Sequence, residues 1–302
     1  MKRVILFALT NIAVLVVLTI AGHLFGIDRW LASRGVPWVA MLVLAVLFGF
    51  TGSFISLLIS RWMAIQIYSI EVIDAPADSN QRWLVNTVSE LTSRAGIPMP
   101  KVGIYQSDEA NAFATGPSQS KSLVAVSSGL LQQMGENEIR GVLAHEVGHI
   151  TNGDMVTMAL LQGVLNTFVW FLSHLVGIAL DNALRGDRDR DRYYRGPGIG
   201  SWVGQIIAQI VLGLLASMIA MGYSRQREFA ADRMSAQING KQSMIAALRR
   251  LQSIHEHGGI FDNRSETLTA FKISNPSTSW LGRVLASHPP LEERIAALER
   301  NA

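Results

Sequence analysis

The 302-residue chain has no cysteine. That absence excludes a disulfide framework, a thiolate metal site and a cysteine nucleophile, so any chemistry must be carried by oxygen and nitrogen groups. Charge is scarce as well: 26 basic and 23 acidic residues make up only 16% of the chain, and the net charge is +3. The basic residues are scattered among acids without interleaved aromatics, which argues against nucleic acid as a partner. No G-x-x-x-x-G-K-[ST] phosphate loop occurs, so no nucleotide is expected. The mean hydropathy of +0.26 is too high for an ordinary soluble protein of this length.

The charge is missing mainly from four places. Residues 4–27, 35–60, 155–180 and 196–224 carry no Asp, Glu, Lys or Arg, in runs of 24, 26, 26 and 29 residues. A bilayer's hydrocarbon layer takes about 20 apolar helical residues to cross. Four transmembrane helices are therefore predicted, over about 4–27, 36–60, 155–180 and 199–224. Lys2 and Arg3 precede the first run as they would a signal peptide. The run is longer than a signal peptide's apolar region, however, and a second span comes directly after it, so it is read as a retained anchor. The predicted organisation is a transmembrane hairpin over 1–60, a soluble part over 61–154, a second hairpin over 155–224 and a second soluble part over 225–302.

Within the soluble parts, Trp83, Leu84, Val88 and Leu91 recur at helical spacing inside 80–94, and Gly96 and Pro98 come after them. Residues 101–105 and 122–126 read as short strands. Ile139, Val142, Leu143 and Val147 set a helix starting near Glu136 and closed by Gly153 and Asp154. A further helical pattern runs from about Arg225 through Leu251, and a last helix over 291–300 comes after Pro289 and Pro290. Residues 261–279 read as a mobile loop and 181–197 as a solvated connection. The fold class is thus an α-helical membrane protein with four transmembrane helices, carrying a mainly helical α+β domain with a small sheet.

His145, Glu146, Val147, Gly148 and His149 spell H-E-x-x-H on the helix that starts near Glu136. Histidines four residues apart project from one helix face, so both imidazoles can reach one ion, and Glu146 is turned enough to address a water on it. The bland alternative is a surface helix with two ordinary histidines. Catalytic zinc takes three protein ligands and keeps a fourth position for water, so another ligand is needed. The second hairpin crosses and recrosses the membrane, which returns the chain to the side of the histidines. The first helix there carries Glu228, the candidate third ligand, and one turn later Asp232, placed to accept the free N–H of a ligand histidine. Here the alternative is an exposed acidic pair opposite nearby arginines.

With these residues in view, the chain resembles the bacterial membrane-bound heat-shock zinc proteases of the gluzincin family, which also contains the CAAX prenyl proteases. The resemblance covers nearly the whole chain. It rests on His145-Glu146-Val147-Gly148-His149, Glu228-Phe229-Ala230-Ala231-Asp232, Asn111-Ala112-Phe113-Ala114-Thr115-Gly116, Ser287-His288-Pro289-Pro290 and the four-span layout. It implies a gluzincin-like protease domain with one zinc ion held by His145, His149 and Glu228, and with Glu146 as general base. It also implies His288 as a donor to the oxyanion and Asn111, Ala112, Phe113, Ala114 and Thr115 as an exposed strand edge that pairs with an extended polypeptide. The expected substrates are misfolded or damaged membrane proteins, cleaved without ATP in a stress response. Basic residues near the span ends barely differ between the two sides. The resemblance places the protein in the inner membrane with its protease domain in the cytoplasm. The alternatives are a non-catalytic zinc-binding membrane scaffold and a CAAX-type protease of lipidated peptides. Because His149 and Glu228 each lie a few residues from a charge-free run, the ion is expected within roughly 10 Å of the bilayer's polar surface, at about 1.5 Å per helical residue.

Overall fold

The computed structural model describes residues 2–33, 35–185, 198–256 and 286–300. Among the described residues three helices have the length and apolarity to cross a bilayer: α3 (Trp38–Tyr68), α7 (Asp154–Arg185) and α8 (Ile199–Asn239). The four spans expected from the sequence are therefore found in part. The first expected span forms α1 (Lys2–Leu24), whose apolar stretch is the shorter Ile12–Leu24. It stops at Leu24, and the short helix α2 (Ile27–Ala32) comes next in the chain. The expected loop over 261–279 lies outside the described residues, as do residues 186–197 of the expected connection.

Two compact units divide the chain. The first comprises Met1–Ser56 and Met158–Ala220. Its interior is built from Val14, Leu18, Leu31, Met41, Leu42, Ala45 and Phe171, with the Trp38 ring edge-on to Phe171 at 5.5 Å. Its outside is also apolar: Phe48, Phe54, Ile206, Ile210 and Leu214 are all exposed. A helix that is apolar all round, with its backbone bonds closed internally, is suited to lipid and unsuited to water.

The second unit comprises Leu57–Thr157 and Met221–Ala302. Its sheet has the order β1-β2-β4-β3, from β1 (Glu71–Val72), β2 (Lys101–Tyr105), β3 (Ala112–Thr115) and β4 (Leu123–Ser127). β2 and β4 run parallel, while β1 pairs antiparallel with β2 and β3 antiparallel with β4. β4 is central and buried along its whole length. Its side chains alternate between faces, as the two-residue period of a strand requires. Leu123 and Ala125 pack with Tyr105, Phe113 and the last turns of α3, whereas Val124 and Val126 pack under the helices.

Those helices are α4 (Ser79–Ala95) and α6 (Glu136–Asn152), with the short α5 (Ser128–Gln133) between. Asp78 caps α4 by accepting the Gln81 N–H at 2.8 Å, and Leu84, Val88 and Leu91 form its buried stripe. On α6, Ile139, Val142, Leu143 and Val147 are buried on the same core, each contributing about 1.5–3 kcal/mol relative to exposure. The Gln119 amide donates to Ile150 O and Thr151 O at 3.3 and 3.0 Å, satisfying carbonyls that the end of α6 leaves open.

One expectation is corrected here. The helical pattern over 225–251 is not one helix: α8 continues to Asn239, and α9 (Lys241–Glu256) starts after Gly240, whose φ is +84°. A residue with a Cβ adopts that conformation only at a cost, so glycine marks the break. Apolar periodicity reads through a one-residue interruption, which is why the sequence pattern looked continuous. The final helix, α10 (Leu291–Arg300), matches its expected bounds and packs on α9 through Ile295 and Leu298.

Candidate active site

Helix α6 buries His145 and Glu146 and half-buries His149. The two histidines are one turn apart and so share a face. That face meets α8 closely because residue 148 is glycine: a Cβ there would lie 3.0 Å from Ala231 O and 3.3 Å from its Cα. Ala231 lies between Glu228 and Asp232 in sequence, so the backbone approach at Gly148 brings both carboxylates to the imidazoles.

The spacing that results is that of a coordination shell. His145 Nε2 and His149 Nε2 are 3.1 Å apart. Glu228 places Oε2 at 3.3 Å from the first and Oε1 at 3.3 Å from the second. Ligand atoms about 2.0–2.1 Å from a tetrahedral ion stand about 3.3 Å from one another. Among the described residues, His145, His149 and Glu228 are the group that could hold a metal ion. The donor set fits one: two imidazole nitrogens and a buried carboxylate converge on a single point.

Each imidazole turns its other nitrogen outward to a carboxylate. Asp232 Oδ1 is 2.9 Å from His145 Nδ1, and Asp154 Oδ2 is 2.6 Å from His149 Nδ1. These contacts fix the ring orientation and leave both Nε2 atoms for an ion. The structure thus brings Asp232 to the position expected for it. By sequence alone Asp154 marks only the end of a helix; its signal is an acid directly after the helix-closing Gly153, five positions beyond His149.

Arg294 is a further residue of the site that the sequence does not place there. It is fully buried on α10, and its Nε and Nη2 donate to Asp232 Oδ2 and Oδ1 at 2.8 and 2.6 Å. Its Nη1 lies 3.4 Å from Glu228 Oε2. The sequence did carry a hint, because Arg294 falls on the stripe of Leu291, Ile295 and Leu298, where a charge has no place unless it is paired. His288 Nδ1 is 2.8 Å from Glu228 Oε2, so the ring expected at the oxyanion is set against the ligand carboxylate. Its Nε2 is buried with no hydrogen-bond partner among the described residues.

Burial raises the Glu146 carboxyl above the usual carboxylate range against the pull of the two imidazoles, and the Ala114 backbone N–H donates to it. Burial by itself would disfavour a charged His149, but the carboxylates of Glu228 and Asp154 outweigh it and raise its pKa to about 10. The same contest, with Asp232 and Glu228 as the acids, raises His145. At His288 burial prevails and the pKa falls. A metal ion entering at neutral pH must therefore displace a proton from His149.

Residues Ala112 to Thr115 form β3, which lies at the edge of the sheet and pairs with β4 alone among the described residues. Its four residues are buried, backbone included, so the edge expected to be exposed is covered in this structure. Asn111 precedes it, its N–H donating to Ser127 Oγ at 3.0 Å and its carbonyl accepting from Ser127 N–H at 2.9 Å. The Ala114 N–H on Glu146 joins this strand to the acid of the motif.

Residues 78–302 match the family described as peptidase family M48. The chain belongs to peptidase family M48. It is 53% identical over 99% of its length to a protease HtpX homolog of Methylacidiphilum infernorum, covering 98% of that protein. It is 48% identical to protease HtpX of Pseudomonas aeruginosa, with both chains covered fully. Among solved structures it is similar in fold to Ste24p of S. mikatae, with a TM-score of 0.59 at 20% identity, covering 99% of this chain and 66% of that one. Membership in the family, the curated relatives and the apolar helices together make this chain a membrane metalloprotease.

Proposed function

We propose that the protein is a zinc endopeptidase of the bacterial inner membrane that cleaves misfolded or damaged membrane proteins without ATP. In this proposal α1 is a fourth span and the protease domain faces the cytoplasm. The observation that carries it is the convergence of His145, His149 and Glu228 at ligand spacing, with the Glu146 carboxylate beside them and outside the set. Two imidazoles and a carboxylate are a donor set that suits zinc.

His145 Nε2, His149 Nε2 and Glu228 would hold the ion. Zinc, when bound, lowers the pKa of a coordinated water to about 7 and polarises a peptide carbonyl. Glu146 takes the proton from the attacking water and later delivers it to the departing amine. A carboxyl raised by burial is suited to both steps, because it gives the proton back readily. The Ala114 N–H holds Glu146 in place from the edge strand. Along that strand, residues 111–115 would pair with an extended substrate through backbone hydrogen bonds, which supports a protease indifferent to most side chains. His288 faces Glu228 Oε2 through Nδ1 at 2.8 Å, so a neutral ring carries its proton there, and Nε2 would donate to the developing oxyanion only from the doubly protonated ring. Substrates that emerge at the membrane surface are favoured because Glu228 lies one helical turn beyond the charge-free run ending at Ser224.

A scaffold that binds zinc structurally has no need of Glu146. Protein purified in detergent, with and without Glu146→Gln, should therefore be assayed for self-cleavage and casein cleavage with zinc added and with zinc chelated. Cleavage by the zinc-loaded wild type alone supports the proposal, and equal activity from both forms contradicts it. A cytoplasm-only reporter fused at Asp189 should stay silent; signal there would overturn the orientation.

A further inference from the structure

Arg294 reaches both acidic residues that α8 brings to the site. Its fork grips both oxygens of Asp232, at 2.6 and 2.8 Å, while Nη1 lies 3.4 Å from Glu228 Oε2. Glu228 and Asp232 are one turn apart on α8, so a single planar guanidinium spans two successive turns of that helix. Asp232 Oδ1 is at the same time 2.9 Å from His145 Nδ1. The chain of contacts runs from α10 through Asp232 to the His145 ring. All members are buried: Arg294 at 0%, and His145, Glu228 and Asp232 at 1% exposure each. In so dry a place a carboxylate without a cation would be strongly disfavoured, and one that had to swing to find a partner would lose its aim at the imidazole.

The geometry points to Arg294 as a positioning residue for the metal centre: its fork fixes Asp232, Asp232 fixes the His145 ring, and the fork thereby sets how tightly the ion is held. The inference rests on the reading of His145, His149 and Glu228 as metal ligands. Arg294 is assigned no contact with the attacking water or the substrate; its short contacts are with the two acids, and its Nη2 also lies 3.3 Å from His145 Nδ1. Lysine cannot replace it, because an ammonium is a point charge and lacks the parallel donors that match both oxygens of one carboxylate.

The test is a metal-affinity cycle on the full chain in detergent, with zinc titrated against a chelator and the melting temperature measured in parallel. Arg294→Lys keeps the charge and removes the fork; it should raise the zinc Kd about tenfold, within the range that loss of an outer partner of a metal ligand brings. In a chain that already carries Asp232→Asn, the same change should add less than about threefold, because the short bidentate route through Asp232 is already cut and only the longer 3.4 Å approach to Glu228 remains. Leu298→Ala loosens α10 on α9 without touching the fork, and should lower the melting temperature while leaving the Kd within about threefold of the wild type. An Arg294→Lys protein with wild-type Kd would overturn the inference. So would a full tenfold loss added on top of Asp232→Asn, or a Leu298→Ala protein that loses as much affinity as Arg294→Lys. A wild-type chain that takes up no stoichiometric zinc would instead overturn the zinc reading itself, and this inference with it.

Discussion

The site has two halves of different origin. One half is His145, Glu146 and His149, all on one stretch of α6, where the pitch of a single helix sets every relation among them. The other half is Glu228 and Asp232 on α8, His288, and Arg294 on α10, whose relations depend on packing: the backbone approach at Gly148 and the grip of Arg294 on Asp232. Chemistry is written in the first half and geometry in the second. The two meet at Glu228, the one proposed ligand that α6 does not supply.

Substitutions on either side of that divide should behave differently, and the largest effect is expected at the junction. Glu228→Ala should remove stoichiometric metal and with it all cleavage, as measured by metal analysis of protein purified without added ions. An ion retained at full occupancy would mean that α6 suffices alone. Glu146→Gln should leave metal content unchanged and slow casein cleavage about 10²- to 10⁴-fold, the range for a lost general base. Loss of the metal together with the rate would move Glu146 into the ligand set and erase the distinction between the halves.

Asp154→Asn should weaken metal binding about ten- to a hundred-fold by freeing the His149 ring. The same residue enters the pH dependence. His149 keeps its proton to about pH 10 and must release it to bind an ion, so affinity should climb as pH rises toward that value. Removing the Asp154 carboxylate lowers the proton affinity of His149, and the climb should level off at a lower pH in the variant; an unchanged profile would detach Asp154 from the ring. Gly148→Ala is expected to have the smallest effect. A Cβ 3.0 Å from Ala231 O forces α8 outward by a few tenths of an ångström, at about 1 kcal/mol of stability and a few-fold loss in metal affinity. A stability change without any change in affinity would show that the Gly148 contact serves packing alone.

The same divide explains what could be read from the amino-acid order. H-E-x-x-H is legible because helical spacing converts directly into a shared face, and α4, β2, α6 and α10 are legible for the same kind of local reason. Asp232 could be placed through its spacing from Glu228 once that ligand was chosen. Asp154 and Arg294 could not be placed, since one lies just past a helix end and the other reaches the site only through tertiary packing, although a charge on the apolar stripe of α10 was a visible clue. The break at Gly240 was hidden by periodicity that continues across it. Counting charges located the apolar helices but not their ends: α3 runs on past Arg61 to Tyr68, and α8 carries through from its charge-free run to the residues of the site.

X-ray absorption at the metal edge of the purified full chain tests the union of the two halves most directly. Two imidazole nitrogens and a carboxylate oxygen at about 2.0–2.1 Å, on one ion per chain, are predicted, with the oxygen shell changed in Glu228→Asp and the ion lost in Glu228→Ala. A spectrum that Glu228 substitutions leave untouched would contradict that union.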